Sequence, residues 1–476
     1  MKFVLLVIVI AFIINIVLSL SLIFIERKDT STTWAWLLIM IMLPGGGFAI
    51  YLLLGQNLSR EKLFKEKRVI DSEKKKEILN NYTKNNNSQH IKNEYLDLMK
   101  MNFNNCDSKY TTSNKVDIYY DGADKFNQLL IDLENAEKFI HIQYYIFKRD
   151  VIGKKIIKIL EKKASEGVEV RLLVDSMGSY TITKRLMKKF ILNGGKFEIF
   201  FPGIFPHINT RINYRNHRKI VVIDGKYGYV GGFNVGKEYI NEDKKIGYWR
   251  DTHIRIRGEA INDLTDRFLL DWCYASGEEI DNFSKYYSHE KFDGDIGMQI
   301  VTSGPDHDEQ YIKHGYMKMI NNAKNNIYLE TPYFVPDEPI LEALKLAALS
   351  GVDVRIVIPG KPDHKFMKWA ASAYIGELLD SGVRVYCYNN GFIHAKNIVI
   401  DGQVSSIGTA NMDIRSFKLN FEVNAFIFDD RIAKNLEKQF FIDIKNSSLI
   451  TKEAHHSRSV NLRIKESLIR LIAPIL

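Results

Sequence analysis

Two short stretches hold the residue types that chemistry at an anionic centre requires. Residues 216–234 read NHRKIVVIDGKYGYVGGFN and residues 393–411 read IHAKNIVIDGQVSSIGTAN. Each opens an apolar run with a histidine and a lysine two positions apart, His217 with Lys219 and His394 with Lys396. On a strand, side chains i and i+2 share a face, so each pair is expected to reach one small object. Both pairs are followed at the same distance by Gly-x-x-Asn, which supplies Asn234 and Asn411. Ammonium and amide groups suit the non-bridging oxygens of a phosphodiester, where they offset the charge that grows in the transition state. A neutral imidazole attacking phosphorus, with a protonated one handing its proton to the leaving oxygen, divides one displacement into two through a phosphohistidine. That division needs a histidine on each side of the phosphorus. A single copy is therefore incomplete, and the two copies are expected to form one site.

Asp224 and Asp401 fall on the opposite parity and each precedes a glycine, which is also the signature of an Asp-Gly hairpin turn. Metal chemistry fits poorly. Twelve histidines are present, but none sits in an H-E-x-x-H pattern, no Cys-x-x-Cys occurs, and a lysine ammonium cannot coordinate. No metal ligands and no cofactor are expected.

The elements that position these residues recur along the chain. Continuous apolar runs such as KFIHIQYYIF, VEVRLLVD and KFEIFF alternate with helical patterns, as in a sheet covered by helices on both faces. AEKFIHIQYYIF from Ala136 aligns with AKNNIYLETPYF from Ala323, and GVEVRLLV from Gly167 with GVDVRIVI from Gly351. LNGGKFEIF pairs with LDSGVRVYC, setting Gly195 against Gly382, and the two His-x-Lys strands close the series in the same order. Four matches in register argue for an internal duplication. We expect two similar α/β halves over 113–290 and 291–476.

What precedes them is different. Phe3 to Ile25 carries no charge, and Trp34 to Leu54 is a second apolar stretch broken by Pro44 and three glycines. Each is long enough to cross a hydrocarbon core, for which about 20 residues suffice. A cleaved signal peptide is the other reading of the first stretch, but its apolar region is too long and no A-x-A-like site follows. The segment SREKLFKEKR after the second stretch is rich in lysine and arginine. By the positive-inside bias, residues 1–58 form a transmembrane hairpin whose ends, and the rest of the chain, are cytoplasmic. Residues 59–112 are expected to be a polar, basic linker, with 73–90 as a tether. A net charge of +9 admits nucleic acid and acidic lipid headgroups alike, and the apolar N-terminus favours the lipid. Cys106, Cys273 and Cys387 are too scattered for a disulfide framework. Arg211, Arg215 and Arg218 stand where they could gather anionic headgroups. The C-terminal RIKESLIRLIAPIL has the spacing of a basic amphipathic helix, which suits a membrane interface or docking on its own domain equally.

His217-x-Lys219-x4-Asp224 and His394-x-Lys396-x4-Asp401 resemble the paired HKD motifs of the phospholipase D superfamily. WAWLLIMIMLPGGGFAIYLLLGQN, YWRDTHIRIRG, ETPYFVPD and GTANMDIRSFKLNFEVN are similar to segments of the bacterial cardiolipin synthase family. The resemblance implies an α/β fold of two duplicated phospholipase D-like α/β/α sandwich halves that share one active site at their interface. It implies phosphatidyl transfer between two phosphatidylglycerols, giving cardiolipin and glycerol, with membrane phospholipids as partners and no nucleic acid. A phospholipase D, another phosphatidyltransferase or a superfamily nuclease would use the same histidines. The catalytic set implied is His217, Lys219, Asp224, His394, Lys396 and Asp401, with Asn234 and Asn411 on the phosphate. In the family an acidic residue on the strand after each motif steadies the histidine, and the matching positions are Asp251 and Glu422. The usual sequel Gly-Ser-x-Asn carries Gly232 and Thr409 in place of serine, so the halves are expected to differ chemically.

Overall fold

The computed structural model of the chain describes residues 9–10, 12–20, 30–43, 46–47, 50–51, 64–74, 95–202, 213–243, 245–288, 292–363 and 365–472. In the first half lie strands β1 (Asn114–Tyr119), β2 (Phe139–Tyr144), β3 (Glu169–Asp175), β4 (Lys196–Phe200), β5 (Arg215–Asn216), β6 (Ile220–Ile223), β7 (Tyr227–Gly231), β8 (Trp249–Arg250) and β9 (His253–Gly258). In the second half lie β10 (Gly297–Ser303), β11 (Asn326–Glu330), β12 (Phe334–Val335), β13 (Asp353–Pro359), β14 (Arg384–Tyr388), β15 (Phe392–Ile393), β16 (Asn397–Ile400), β17 (Val404–Gly408), β18 (Met412–Asp413), β19 (Asn420–Phe428) and β20 (Ser447–Leu449).

The first sheet runs β1-β9-β7-β6-β2-β3-β4 and the second β10-β19-β17-β16-β11-β13-β14, with β20 added at its end. The two orders match position for position, so the duplication is present in the topology. In both, three strands are parallel (β2, β3, β4 and β11, β13, β14) and the motif strand joins them antiparallel. Buried parallel strands call for apolar runs without alternation, and β2, with sequence FIHIQY, is buried at every position. The helices Val151–Ser165 and Glu338–Leu349 are capped by Asp150 and Asp337, whose side chains accept the backbone N–H groups of Gly153 and Ile340. Ile152, Ile156, Leu160 and Ala164 line the buried stripe of the first.

The halves are not separate domains. Ile220, Val222, Val230, Ile254 and Ile256 share one core with Val399, Ile407, Val423, Ala425 and Ile427. Fully burying one such side chain contributes roughly 1.5–3 kcal/mol, so this seam is part of the folding core. Two short parallel pairings cross it as well: β5 joins the start of β19, and β8 joins β15.

Two parts of the expected linker are instead built into the enzyme. The helix Leu96–Cys106 packs on the second half, where Leu98 and Met99 enter the core beside Tyr316 and Ile320. Residues 64–74 are helical and carry Phe64, Lys67 and Asp71 into the protein. Both share the helical spacing of buried residues that a polar average over 59–112 conceals. The rest of the tether, and the expected boundary at 290, lie outside the described residues. So does much of the expected hairpin, although residues 12–20 and Thr30–Met42 are helical. Among the described residues no helix is long and apolar enough to cross a membrane. The C-terminal helix Val460–Ile472 packs on Lys365–Asp380, buries Ile469 and leaves Val460, Ile464, Leu468 and Leu471 exposed.

Candidate active site

Both His-x-Lys pairs lie just ahead of their motif strands, β6 and β16, at the seam between the halves. The extended chain entering each motif is fixed by the opposite half. The His217 N–H donates to the Phe421 carbonyl at 2.9 Å, and the His394 N–H donates to the Arg250 carbonyl at 2.6 Å. Each histidine is then met by a carboxylate of the other half. His217 Nδ1 lies 2.9 Å from Oε1 of Glu422, and His394 Nδ1 lies 2.6 Å from Oδ2 of Asp251. Asp251 and Glu422 therefore brace the histidine of the opposite repeat. Repeats have no sequence mark for exchange across the seam, because the strands that swap partners (β5, β8, β15) are two residues long.

The lysines are wholly enclosed. Lys219 Nζ donates to the His217 carbonyl at 2.6 Å and Lys396 Nζ to the His394 carbonyl at 2.5 Å. Burial lowers both histidines to about 4, with Lys219 and Lys396 each adding to the effect on the histidine of the other motif and the carboxylate opposing it. Burial also brings Lys219 down to about 7 and Lys396 to about 8. For Glu422, burial acts to raise the pKa, and the interaction with His217 and Lys219 more than offsets it. The same balance, with His394 and Lys396, leaves Asp251 lowered. These shifts favour uncharged imidazoles and ionised carboxylates at neutral pH. An acceptor on Nδ1 holds the ring proton there and turns Nε2 into the basic nitrogen. The Tyr145 ring flanks His217 and the Trp249 ring flanks His394, with centroids 4.9 and 5.1 Å away.

Asp224 and Asp401 are not part of this set. The Asp224 carboxylate accepts the N–H groups of Glu137, Lys138 and Phe139, each at 2.8 Å. The Asp401 carboxylate accepts those of Lys324, Asn325 and Asn326 at 2.7–2.8 Å. Both aspartates have φ of 54° and precede a glycine with positive φ. They are turn residues that tie the far end of each motif strand to the start of β2 or β11. Asn234 is engaged within its own half, accepting the Ile146 N–H and donating to the Tyr239 hydroxyl, both at 3.1 Å. Asn411 Oδ1 has no partner among the described residues. Arg218 does not face a headgroup: it is buried, with Nη1 2.6 Å from Asp271. Arg211 lies outside the described residues, and Arg215 pairs with Asp175 at 3.7 Å.

The serine departures have a physical account. A Cβ on Gly232 would meet Asp251 Oδ1 at 1.9 Å, so the first half has no room for a side chain there. In the second half the Thr409 hydroxyl donates to Glu422 Oε2 at 2.5 Å. Asp251 instead receives the Thr252 N–H at 2.7 Å.

A duplicated α/β fold with one histidine–lysine pair per half, joined at a buried seam, is the arrangement of phospholipase D-like proteins. The family described as cardiolipin synthase, PLD-like domain, matches residues 129–272 and 316–443, and the one described as phospholipase D-nuclease N-terminal matches residues 5–56. A Clostridium perfringens cardiolipin synthase is 54% identical over 439 residues, 91% of this chain and 92% of its own. A Staphylococcus aureus cardiolipin synthase is 48% identical over 446 residues, 91% and 89% of the two chains. The crystal structure of a Haemophilus influenzae phosphatidylserine synthase covers 80% of this chain and 99% of its own, with a TM-score of 0.59 at 16% identity, a likeness of fold. The chain belongs to the cardiolipin synthase family of phospholipase D-like enzymes.

Proposed function

We propose that the chain is a cardiolipin synthase that moves a phosphatidyl group from one phosphatidylglycerol to another and releases glycerol. The observation that supports this reading is that each of the two motif histidines has its Nδ1 against a carboxylate of the opposite half, at the seam where one shared site would lie. His217 Nε2 attacks the phosphorus, the bond to glycerol breaks, and His394 gives its proton to the departing oxygen. His394 then takes the proton of a hydroxyl on the second phosphatidylglycerol, which displaces His217 and forms the new phosphodiester. Lys219, Lys396 and Asn411 hold the non-bridging oxygens. The substrate's negative charge supports protonation of His394, which burial otherwise opposes. Neither step calls for a metal or a cofactor.

The substrates are lipids, and the enzyme belongs at a membrane with its catalytic halves cytoplasmic. Support comes from the two apolar helices, where Asn15 Nδ2 donates to the Met40 carbonyl at 3.0 Å and Phe12, Ile13, Val17, Trp34, Ile41 and Met42 are exposed. A hairpin with its apolar side chains in lipid accounts for both. Cysteine labelling in intact cells should find the segment 26–33 outside and position 100 protected; labelling of position 100 from outside would reverse the topology.

The test of the reaction is incubation of purified protein with labelled phosphatidylglycerol. Cardiolipin and glycerol should appear in near-equal amounts, phosphatidic acid should be minor, added glycerol should drive the reaction backwards, and chelator should have no effect. Phosphatidic acid dominating at high phosphatidylglycerol, with glycerol without effect, would make the enzyme a phospholipase.

A further inference from the structure

The helix at residues 64–74 enters the protein with Phe64, Lys67 and Asp71. Phe64 sits among Phe201, Tyr214 and Phe421, with ring centroids at 5.9, 5.3 and 5.6 Å. Lys67 is fully buried, and its Nζ lies 2.6 Å from Asp71, 3.1 Å from Asp306 and 3.6 Å from Asp271. Arg267 reaches Asp71 at 3.1 Å and Asp271 at 2.7 Å. Arg218 holds Asp271 at 2.6 Å and donates through Nε to the Glu422 carbonyl and through Nη2 to the Ser303 carbonyl, both at 3.1 Å. Lys67, Arg267 and Arg218 thus face Asp71, Asp271 and Asp306 in a charge-balanced buried cluster. Its far end is the main chain of Glu422, the residue that braces His217, and Arg218 is the neighbour of His217 in sequence.

The opposite corner of the site is built differently. Arg250 donates to the Asp251 carbonyl at 2.5 Å and pairs with Asp443 at 2.7 Å and Glu330 at 3.3 Å. All of these residues belong to the two halves, and among the described residues Arg250, Glu330 and Asp443 form this cluster without a side chain of 64–74. The His217 corner draws the charge of Lys67 from the segment that follows the apolar N-terminus.

We propose that Lys67 is a positioning residue for the His217 half-site, and that the juxtamembrane helix is thereby part of the catalytic unit. Lys67 holds Asp271 in charge balance, Asp271 holds Arg218, and Arg218 fixes the main chain that aims Glu422 at His217. Without the ammonium, three buried carboxylates face two guanidiniums. An uncompensated buried charge is what such clusters tolerate least, and Arg218 is the member that links the cluster to the Glu422 carbonyl. The proposal rests on the reading of His217 as a group that acts on the phosphodiester.

The test uses the full-length protein in phosphatidylglycerol vesicles. Lys67→Met should lower kcat by about 100-fold, the scale set by an ångström of misplacement at a reacting group, and leave KM within about twofold. Adding Asp306→Asn to Lys67→Met restores charge balance and should return most of the lost kcat, with a melting temperature near that of the parent. Should the single variant fail to fold, the double variant carries the test. A Lys67→Met protein with parental kcat would overturn the proposal, and so would a folded double variant with no recovery. A parent that makes no cardiolipin would instead sink the functional reading, whatever the variants do.

Discussion

His217 and Glu422 lie 2.9 Å apart across the seam between the repeats, and the chain supplies the carboxylate only after it has completed the second motif. The reciprocal contact joins His394 to Asp251. Each half on its own therefore holds a histidine without its brace, and the duplication is needed for ring orientation as well as for a second histidine. Glu422→Gln should impair the chemistry of His217 and Asp251→Asn that of His394, each lowering kcat by up to about 10,000-fold, as when an amide replaces a carboxylate behind a catalytic imidazole. His217→Ala combined with Glu422→Gln should be little slower than His217→Ala alone, because groups acting as a unit do not contribute additively. Multiplying losses in that double variant would show that Glu422 acts elsewhere.

The pH dependence follows from the buried lysines. Lys219 and Lys396, brought by burial to about 7 and about 8, lose the charge that attracts a phosphodiester as pH rises through that range. The kcat/KM for phosphatidylglycerol should therefore fall above about pH 8. The linkage has the opposite direction for stability. A lysine whose pKa is lower folded than unfolded binds fewer protons in the native state between about 7 and the ordinary 10.5, so stability rises with pH over that interval. Melting temperatures of the parent should show this rise and those of Lys219→Met a shallower one. A kcat/KM constant up to pH 10 would place both lysines in their ordinary range.

Asp224 and Asp401 should behave as structural residues although they belong to the signature. Each carboxylate accepts three backbone N–H groups, and leaving a buried one such as that of Phe139 without an acceptor costs about 1–3 kcal/mol. Asp224→Ala should lower the melting temperature strongly, by more than Asp224→Asn, while the kcat of the molecules that remain folded stays within about tenfold, since the carboxylate does not meet the phosphate. A stable Asp224→Ala protein with abolished turnover would return this residue to the catalytic set.

What the sequence made legible was whatever is repeated and local. The i, i+2 spacing of His217 with Lys219 and the register of the four repeated elements were enough to place two half-sites on equivalent strands, and the strand orders agree with that. The parity of Asp224 and the glycine after it already contained the turn. Three things were not legible. The exchange of Asp251 and Glu422 depends on two-residue strands that carry no periodicity. Arg218 stands in the motif among other basic residues, and only the position of Asp271 on the helix Ile261–Ser276 shows that its charge is consumed inside. Lys67 looks like one more cation in a basic linker, because burial of a lysine depends on carboxylates that are distant in sequence.

Gly232 and Thr409 provide the sharpest test of how unlike the halves have become. Thr409 donates to Glu422, whereas at Gly232 any Cβ would press on Asp251 Oδ1 at 1.9 Å. The contact atom is the carboxylate that braces His394, so Asp251 must move if a side chain is introduced. Gly232→Ser, which restores the superfamily's common residue, should lower kcat by about 100-fold through loss of the aim of His394, and Gly232→Ala should do the same without adding a hydroxyl. Thr409→Ser keeps the donor and should remain within a few-fold of the parent, while Thr409→Val removes one hydrogen bond to an ionised carboxylate, a loss of about 1.5–3 kcal/mol. Product analysis of all four variants against phosphatidylglycerol decides the matter. A fully active Gly232→Ser enzyme would mean that Asp251 has room to withdraw, and that the carboxylate behind His394 is not held where the first half places it.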